Sequence, residues 1–205
     1  MLLSLVRKAI RFELNMWRGL YLWIRGRVSA QRPGDVALGY AAAISPIIWV
    51  FIVLNLIEIP ALHIILPWET VRFLVDLAGA YSLFWMLGLL ASIKVHPHLA
   101  TPTGLRVRYG ASVDFTIPWE EIATVSSRIR SLQGNRTVRF EDSIVHIGIG
   151  NQTNIDIVLR EPLVLPLPRT GGEPVTEVHI YADDPKAVIA EVKRKMSDPA
   201  STMAS

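Results

Sequence analysis

Residues 36–57, VALGYAAAISPIIWVFIVLNLI, decide how this chain is read, because the run carries no ionised side chain. As a helix rising about 1.5 Å per residue it is long enough to cross a hydrocarbon core of about 30 Å. A second run, 73–93, reads FLVDLAGAYSLFWMLGLLASI and carries one acid, Asp76, near its start. It meets the same criterion. Between the two, EIPALHIILPWET holds Pro60 and Pro67, which interrupt helical hydrogen bonding, and Trp68, an amphipathic ring suited to a membrane–water boundary. The reading is a transmembrane hairpin with a short, partly dipped connection.

Small residues recur four apart, as Gly39 with Ala43, Ala78 with Ser82 and Gly88 with Ser92. This spacing lets helix backbones approach closely, either within the hairpin or against a partner membrane protein. Glu58, Glu69, Arg72 and Asp76 gather at the outer end of the hairpin, where ionisable groups near lipid need partners; Arg72 and Asp76, four apart, are placed to pair. A structural salt bridge is the plain reading of Glu58, Arg72 and Asp76, and a proton or ion site the sharper one.

Cations set the orientation. Arg7, Lys8, Arg11, Arg18, Arg25, Arg27 and Arg32 precede the hairpin, only Arg72 lies at its outer turn, and Lys94, Arg106 and Arg108 follow it. Both termini are expected on the cytoplasmic side. Upstream, residues 3–25 gather Arg7, Lys8, Arg11, Arg18 and Arg25 on one helical face, opposite an apolar face that includes Trp17 and Trp23. A helix lying in the bilayer surface among anionic headgroups has this pattern, with packing on the chain's own hairpin as the alternative. Its charges are interleaved with the apolar residues and no small-residue cleavage site follows, so it does not read as a secretory signal. Trp17, Trp23 and Trp68 are the expected interface anchors.

After Lys94, alternation replaces continuous apolarity. Strands are expected at 104–110, 113–117, after a short turn within 118–125, at 137–140, 143–149, 154–160 and 176–181, with Pro162, Pro166 and Pro168 marking 161–169 as an edge strand or loop. Asp183 or Asp184 caps a last helix that has Pro185 in its first turn. The order predicts a bent sheet or small barrel closed by one helix, in a chain of α+β class.

The residues GLRVRYG, FTIPWEEIATV and VHIYADDPKAVIAEVKRK resemble the bacterial pleckstrin-homology-like (PH-like) domain over about residues 99–196. The whole order, with the Val-His-Pro-His junction at 95–98, is similar to membrane proteins of actinobacterial type. The resemblance implies a bacterial cell membrane location and adaptor work on lipid headgroups or protein partners, without catalysis. The loop Gly110-Ala111-Ser112 holds no basic residue, which argues against specific inositol-phosphate recognition.

Composition agrees. The 205 residues are 51% hydrophobic and 19% charged, with a mean hydropathy of +0.34 and a net charge of only +3. The absence of cysteine excludes disulfides, thiolate metal sites and thiol nucleophiles. His96-Pro97-His98 lacks a third ligand nearby and reads as a polar linker, so no metal or cofactor is expected. Arg106, Arg108, Arg128, Arg130, Arg136 and Arg139 form a cationic stripe without interleaved aromatics, which favours lipid headgroups over nucleic acid, with an ordinary solvated strand face as the equal alternative. No nucleophile with its base, phosphate cradle or carboxylate pair is present, and no small-molecule substrate is expected.

The resulting division is 1–35 interfacial helix and linker, 36–94 two-helix transmembrane hairpin, 95–196 cytoplasmic PH-like domain and 197–205 disordered tail. The expected function is a non-catalytic, multi-pass, membrane-anchored adaptor or scaffold presenting its domain to anionic headgroups or a protein partner. An accessory subunit of a larger membrane complex is the alternative, and a proton- or ion-coupled membrane protein the third reading. Arg7, Arg11, Arg18, Arg25, Arg106, Arg108, Arg128 and Arg130 are the candidate lipid or partner contacts.

Overall fold

A computed structural model describes residues 2–29, 31–110, 112–134 and 136–197, with the side chains of 2–9, 11, 12 and 15 outside the described set. The chain is α+β, with helices and two sheets divided between two compact units. Residues 1–29 and 44–95 form a helical unit; 30–43 and 96–205 form a sheet unit.

The helical unit contains α1 (Leu2–Ile24), α2 (Ser45–Ile65) and α3 (Glu69–Lys94). Helices α2 and α3 are long and apolar enough to cross a membrane, and only 11% of each apolar window is buried. The first apolar run is therefore corrected: its helix starts at Ser45, with Pro46 in the first turn, and not at Val36. Val36–Leu38 instead forms strand β1 of the sheet unit, and Gly39–Ala43 lies outside any helix. The helix also runs through Pro60 to Ile65, leaving a connection of Leu66, Pro67 and Trp68. Proline removes one amide donor but is tolerated in apolar helices where neighbouring groups re-satisfy the freed carbonyl.

The small residues serve two different contacts. A Cβ on Gly79 would lie 2.7 Å from Ile59 Cγ1, so this glycine admits α2 against α3. A Cβ on Gly88 would lie 2.7 Å from Met16 Cγ, and one on Gly19 3.1 Å from the Ser92 Cα, so the Gly88/Ser92 pair receives α1. Met16 is buried there, while Ile10, Leu14, Trp17, Tyr21 and Ile24 on the same helix stay exposed. Of the small-residue pairs in the sequence, Gly88/Ser92 marks a close approach, though of α1 and not of α2; Gly79 and Gly19 fall outside that pattern, and Gly39 meets the Asp183 carboxylate outside any helix. Glu13, an acid on the apolar side, accepts a hydrogen bond from Tyr81 Oη at 2.7 Å.

The sheet unit holds one sheet of order β1-β2-β3-β4, with β2 His98–Ala100, β3 Gly104–Tyr109 and β4 Val113–Pro118. The second has order β5-β8-β9-β7-β6, from β5 (Ile122–Ser131), β6 (Val138–Glu141), β7 (Ile144–Ile147), β8 (Gln152–Val164) and β9 (Pro174–Ile180). Pairing is antiparallel except between β7 and β9. Apolar residues at alternate positions, among them Leu105, Val107, Ile117, Ile155, Ile157 and Val178, make one core. Helix α4 (Pro185–Ser197) adds Val188 and Val192 to it and is capped by Asp184 Oδ1, which accepts from the Ala187 amide at 3.0 Å.

Strands β3, β4, β6, β7, β8 and β9 follow the sequence reading to within a few residues. Pro162 does not end β8; the register slips between Val158 and Leu163, as a bulge that hosts a residue without an amide donor. Strands β1 and β2 were not foreseen. Val36 pairs with Ala100 and Leu38 with His98, and the Asp183 carboxylate accepts from the Ala42 amide at 2.8 Å, so long-range partners claim residues whose local sequence reads as membrane helix. The expected tail contributes Ser197 to α4; residues 198–205 lie outside the described set.

Candidate functional site

Four of the arginines singled out by the sequence, Arg106, Arg108, Arg128 and Arg130, meet three different fates. Arg108 is 1% exposed: its amide donates to His98 Nδ1 at 3.0 Å and its Nε to the Pro97 carbonyl at 2.8 Å. Strand β3 is covered on both faces, so its alternation of apolar and cationic residues does not mark a water-facing side. Arg106 makes two hydrogen bonds of 2.6 Å to Asp114 across the β3–β4 pair, and Arg130 grips Asp156 at 2.7 and 3.2 Å across β5–β8. Arg128 alone of these four is exposed without an ion pair or hydrogen bond. Arg108 is therefore corrected from a surface contact to an interior group, and Arg106 and Arg130 carry charge already matched by carboxylates.

His96-Pro97-His98 is also corrected. Far from being a polar linker, His98 lies in β2, buried against the Tyr40 ring, with Nδ1 accepting from Arg108 and Nε2 donating to the Tyr181 carbonyl at 3.1 Å. That pattern requires the neutral imidazole, and burial pushes its pKa down to about 4. Burial likewise holds the Tyr40 hydroxyl above its ordinary range, and that hydroxyl accepts from the Gly110 amide at 2.7 Å.

In the helical unit, Asp76 does not pair with Arg72. His63, on the last turn of α2, meets Asp76 Oδ2 at 2.6 Å, and Asn55 donates to Ser82 Oγ at 3.3 Å further along the same contact. Because α2 extends to Ile65, His63 is helical and opposite Asp76, which a connection beginning at Glu58 would not allow. Glu58 is exposed. Trp17 and Trp68 are exposed, whereas Trp23 is half-buried with the Lys94 ammonium 5.6 Å from its ring centre. Arg18 and Arg25 are exposed, Arg25 lying 5.0 Å from the Tyr21 ring centre; the side chains of Arg7 and Arg11 fall outside the described set.

The open cationic feature is elsewhere in the sheet unit. Two grooves of about 360 and 420 Å³ share Arg136, Val138 and Arg169 on their walls. One adds Gln133, Arg139, Phe140 and Glu141; the other adds Tyr109, Val113, Leu167 and Pro168. Gly134, at φ +86°, turns the chain so that its carbonyl accepts from Arg139 Nη2 at 2.6 Å, while the Arg136 carbonyl accepts from Arg139 Nε at 3.1 Å. These bonds fix one edge of the Arg139 guanidinium. Arg136 and Arg139 were legible as part of a cationic stripe; Arg169 was not, because it follows three prolines in a segment whose path depends on the fold.

Behind Arg139, a polar row crosses the second sheet. Arg139 is in register with His146, His146 with His179, and His179 with Asp156. His179 is 1% exposed; its Nε2 lies 2.8 Å from Glu177 Oε2 and its Nδ1 3.2 Å from His146 Nδ1. One Nδ1 must donate and the other accept, so at least one of these rings is neutral, and burial followed by the charge of His179 lowers the His146 pKa. Among the described residues, no group of three or more His, Cys, Asp or Glu is placed to hold a metal ion.

Chemically, the two grooves together offer three guanidinium groups, apolar side chains and one carboxylate, an arrangement suited to binding anions. No protein family, curated protein or solved structure matches the chain.

Proposed function

We propose that the protein is a non-catalytic adaptor anchored in a cell membrane by the α2–α3 hairpin, with α1 packed on α3 and its exposed apolar residues toward lipid, and a PH-like sheet domain that binds anionic groups on the cytoplasmic side. The observation that supports this most directly is the exposed apolar surface of α2 and α3, where Ile64 is 83% exposed and Phe73 65%. Water penalises such a surface and hydrocarbon does not. The exposed ring of Trp68 at the turn and the cation excess before and after the hairpin agree with cytoplasmic termini. The three-arginine groove supplies the anion-binding surface of the adaptor.

Two measurements test this reading. Membranes washed at alkaline pH should retain the chain; recovery in the aqueous fraction without detergent rejects it. Since the sequence contains no native cysteine, single cysteines introduced at Arg128 and at Trp68 report topology directly. The first should react only after the cytoplasmic side is opened, and the second from outside.

The accessory-subunit reading has one observation in its favour. The His63–Asp76 pair, with side chains 56% and 29% exposed, places polar groups on a helix surface that is largely apolar, a cost that a polar group on a neighbouring membrane helix would offset. A stoichiometric membrane partner in mild detergent, lost on Asp76→Leu, is the result this second reading requires.

A further inference from the structure

Strand β6 is the terminal strand of the five-stranded sheet, bonded on one side only, to β7. The Gly148 amide donates to the Thr137 carbonyl at 2.9 Å, so Thr137 directs its main chain toward β7. Alternation in an antiparallel ladder then turns Arg139 and Glu141 the same way, and turns the amides and carbonyls of Val138 and Phe140 outward. Those two residues line the cationic groove. The two grooves, joined through Arg136, Val138 and Arg169, thus set an open strand edge and Arg139 in one beside apolar surface from Tyr109, Val113, Leu167 and Pro168 in the other.

From this combination we infer that the groove binds an extended acidic segment of a partner protein, which adds to the sheet as a strand beside β6. A strand has the alternating donors and acceptors that Val138 and Phe140 present, and side chains that alternate between two faces. Acidic side chains on one face meet the arginines, and apolar ones on the other meet Tyr109 and Leu167. A lipid headgroup satisfies the arginines but not the strand edge. Glu141 puts a negative charge on the wall of one groove only, so the acidic positions lie toward Arg136 and Arg169, which line both. The short turn at Asp142 and Ser143, both at positive φ, limits the augmented stretch to about the length of β6.

This inference rests on the adaptor reading, whose groove it specifies. The test uses the full chain in neutral phosphatidylcholine nanodiscs and a fluorescent peptide alternating Val with Glu. Fluorescence anisotropy should show binding that weakens with salt. Replacing Glu by Lys in the peptide should abolish binding, and N-methylation of alternate peptide amides should weaken it at least about tenfold, since the methyl groups block the strand bonds. Arg136→Glu and Arg169→Glu, both exposed positions, should each weaken it about tenfold or more. Equal binding of the methylated peptide overturns the proposal, as charge alone would then suffice. So does an inert peptide, or competition by inorganic phosphate or phosphatidylglycerol vesicles as strong as that of unlabelled peptide. Membrane retention, scored on the same preparation, bears on the adaptor reading alone and does not depend on peptide binding.

Discussion

The two units differ in how much apolar surface they leave exposed. In the sheet unit, Leu105, Ile157 and Val178 are wholly enclosed, while arginines such as Arg128, Arg136 and Arg169 face outward. In the helical unit, Phe51, Ile57 and Leu77 are exposed, and the polar groups Asn55, Ser82, His63 and Asp76 face one another between α2 and α3. The helical unit also buries apolar residues, among them Met16, Ile52 and Leu90, but it leaves far more of its large apolar side chains exposed than the sheet unit does. Exposed apolar surface is unfavourable in water and not in hydrocarbon, so this contrast is the one that the proposed membrane anchoring requires.

Truncating equivalent aliphatic side chains separates the units most sharply. Ile157→Ala in the sheet core should cost about 2–5 kcal/mol of stability, whereas Leu77→Ala on exposed α3 should cost much less. Chemical denaturation in detergent, followed by tryptophan fluorescence, measures both; similar losses at the two positions would break the contrast.

A charge placed on the exposed helix surface probes the surrounding solvent. Phe84→Lys, near the middle of α3, should raise the insertion free energy by about 3 kcal/mol if hydrocarbon surrounds it, and change little in water. An insertion assay with glycosylation tags reads the difference, and unaltered insertion argues for an aqueous setting.

Acid acts on the sheet unit through His98. Its folded pKa of about 4 lies below the ordinary 6.5, so above 6.5 the imidazole is neutral in both states and contributes no slope. Below 6.5 the unfolded chain takes up a proton that the folded one refuses, and stability falls until about pH 4, by roughly 3 kcal/mol. His146, also lowered, acts in the same direction. Denaturation midpoints of the parent and of His98→Gln, followed across this range, should converge as pH falls; parallel curves would remove His98 from the account.

The smallest effect belongs to the surface. Arg106→Ala breaks a bidentate pair whose partner, Asp114, is 47% exposed, and solvent screening limits the loss to about 1 kcal/mol or less. A markedly larger loss of stability would show that the pair is a structural element of the β3–β4 hairpin.

Legibility differed by element for identifiable reasons. The apolar runs of α2 and α3 and the alternation of β3, β4 and β9 are local patterns, and each was readable because every residue votes for the same period. The boundary at 36–44 was misread because VALGYAAAI is equally apolar as helix or strand, and only pairing with β2 and the Asp183 carboxylate distinguishes them. Of the candidate contacts, Arg128 stayed open, but Arg106, Arg108 and Arg130 were claimed by Asp114, the Pro97 carbonyl and Asp156. None of those partners is announced by local spacing alone.

By itself the amino-acid order determined the kinds of element present, since helix and strand periods and the segregation of charge from apolar runs are properties of neighbours along the chain. Tertiary structure decided which cations remain available, which helix fills each small-residue notch, and where an unpaired strand edge meets arginines. Those outcomes depend on contacts between residues far apart in sequence, such as Asn154 with Ala182 or Gly88 with Met16. Burial and pairing energies act through space, so no reading of adjacent residues contains them.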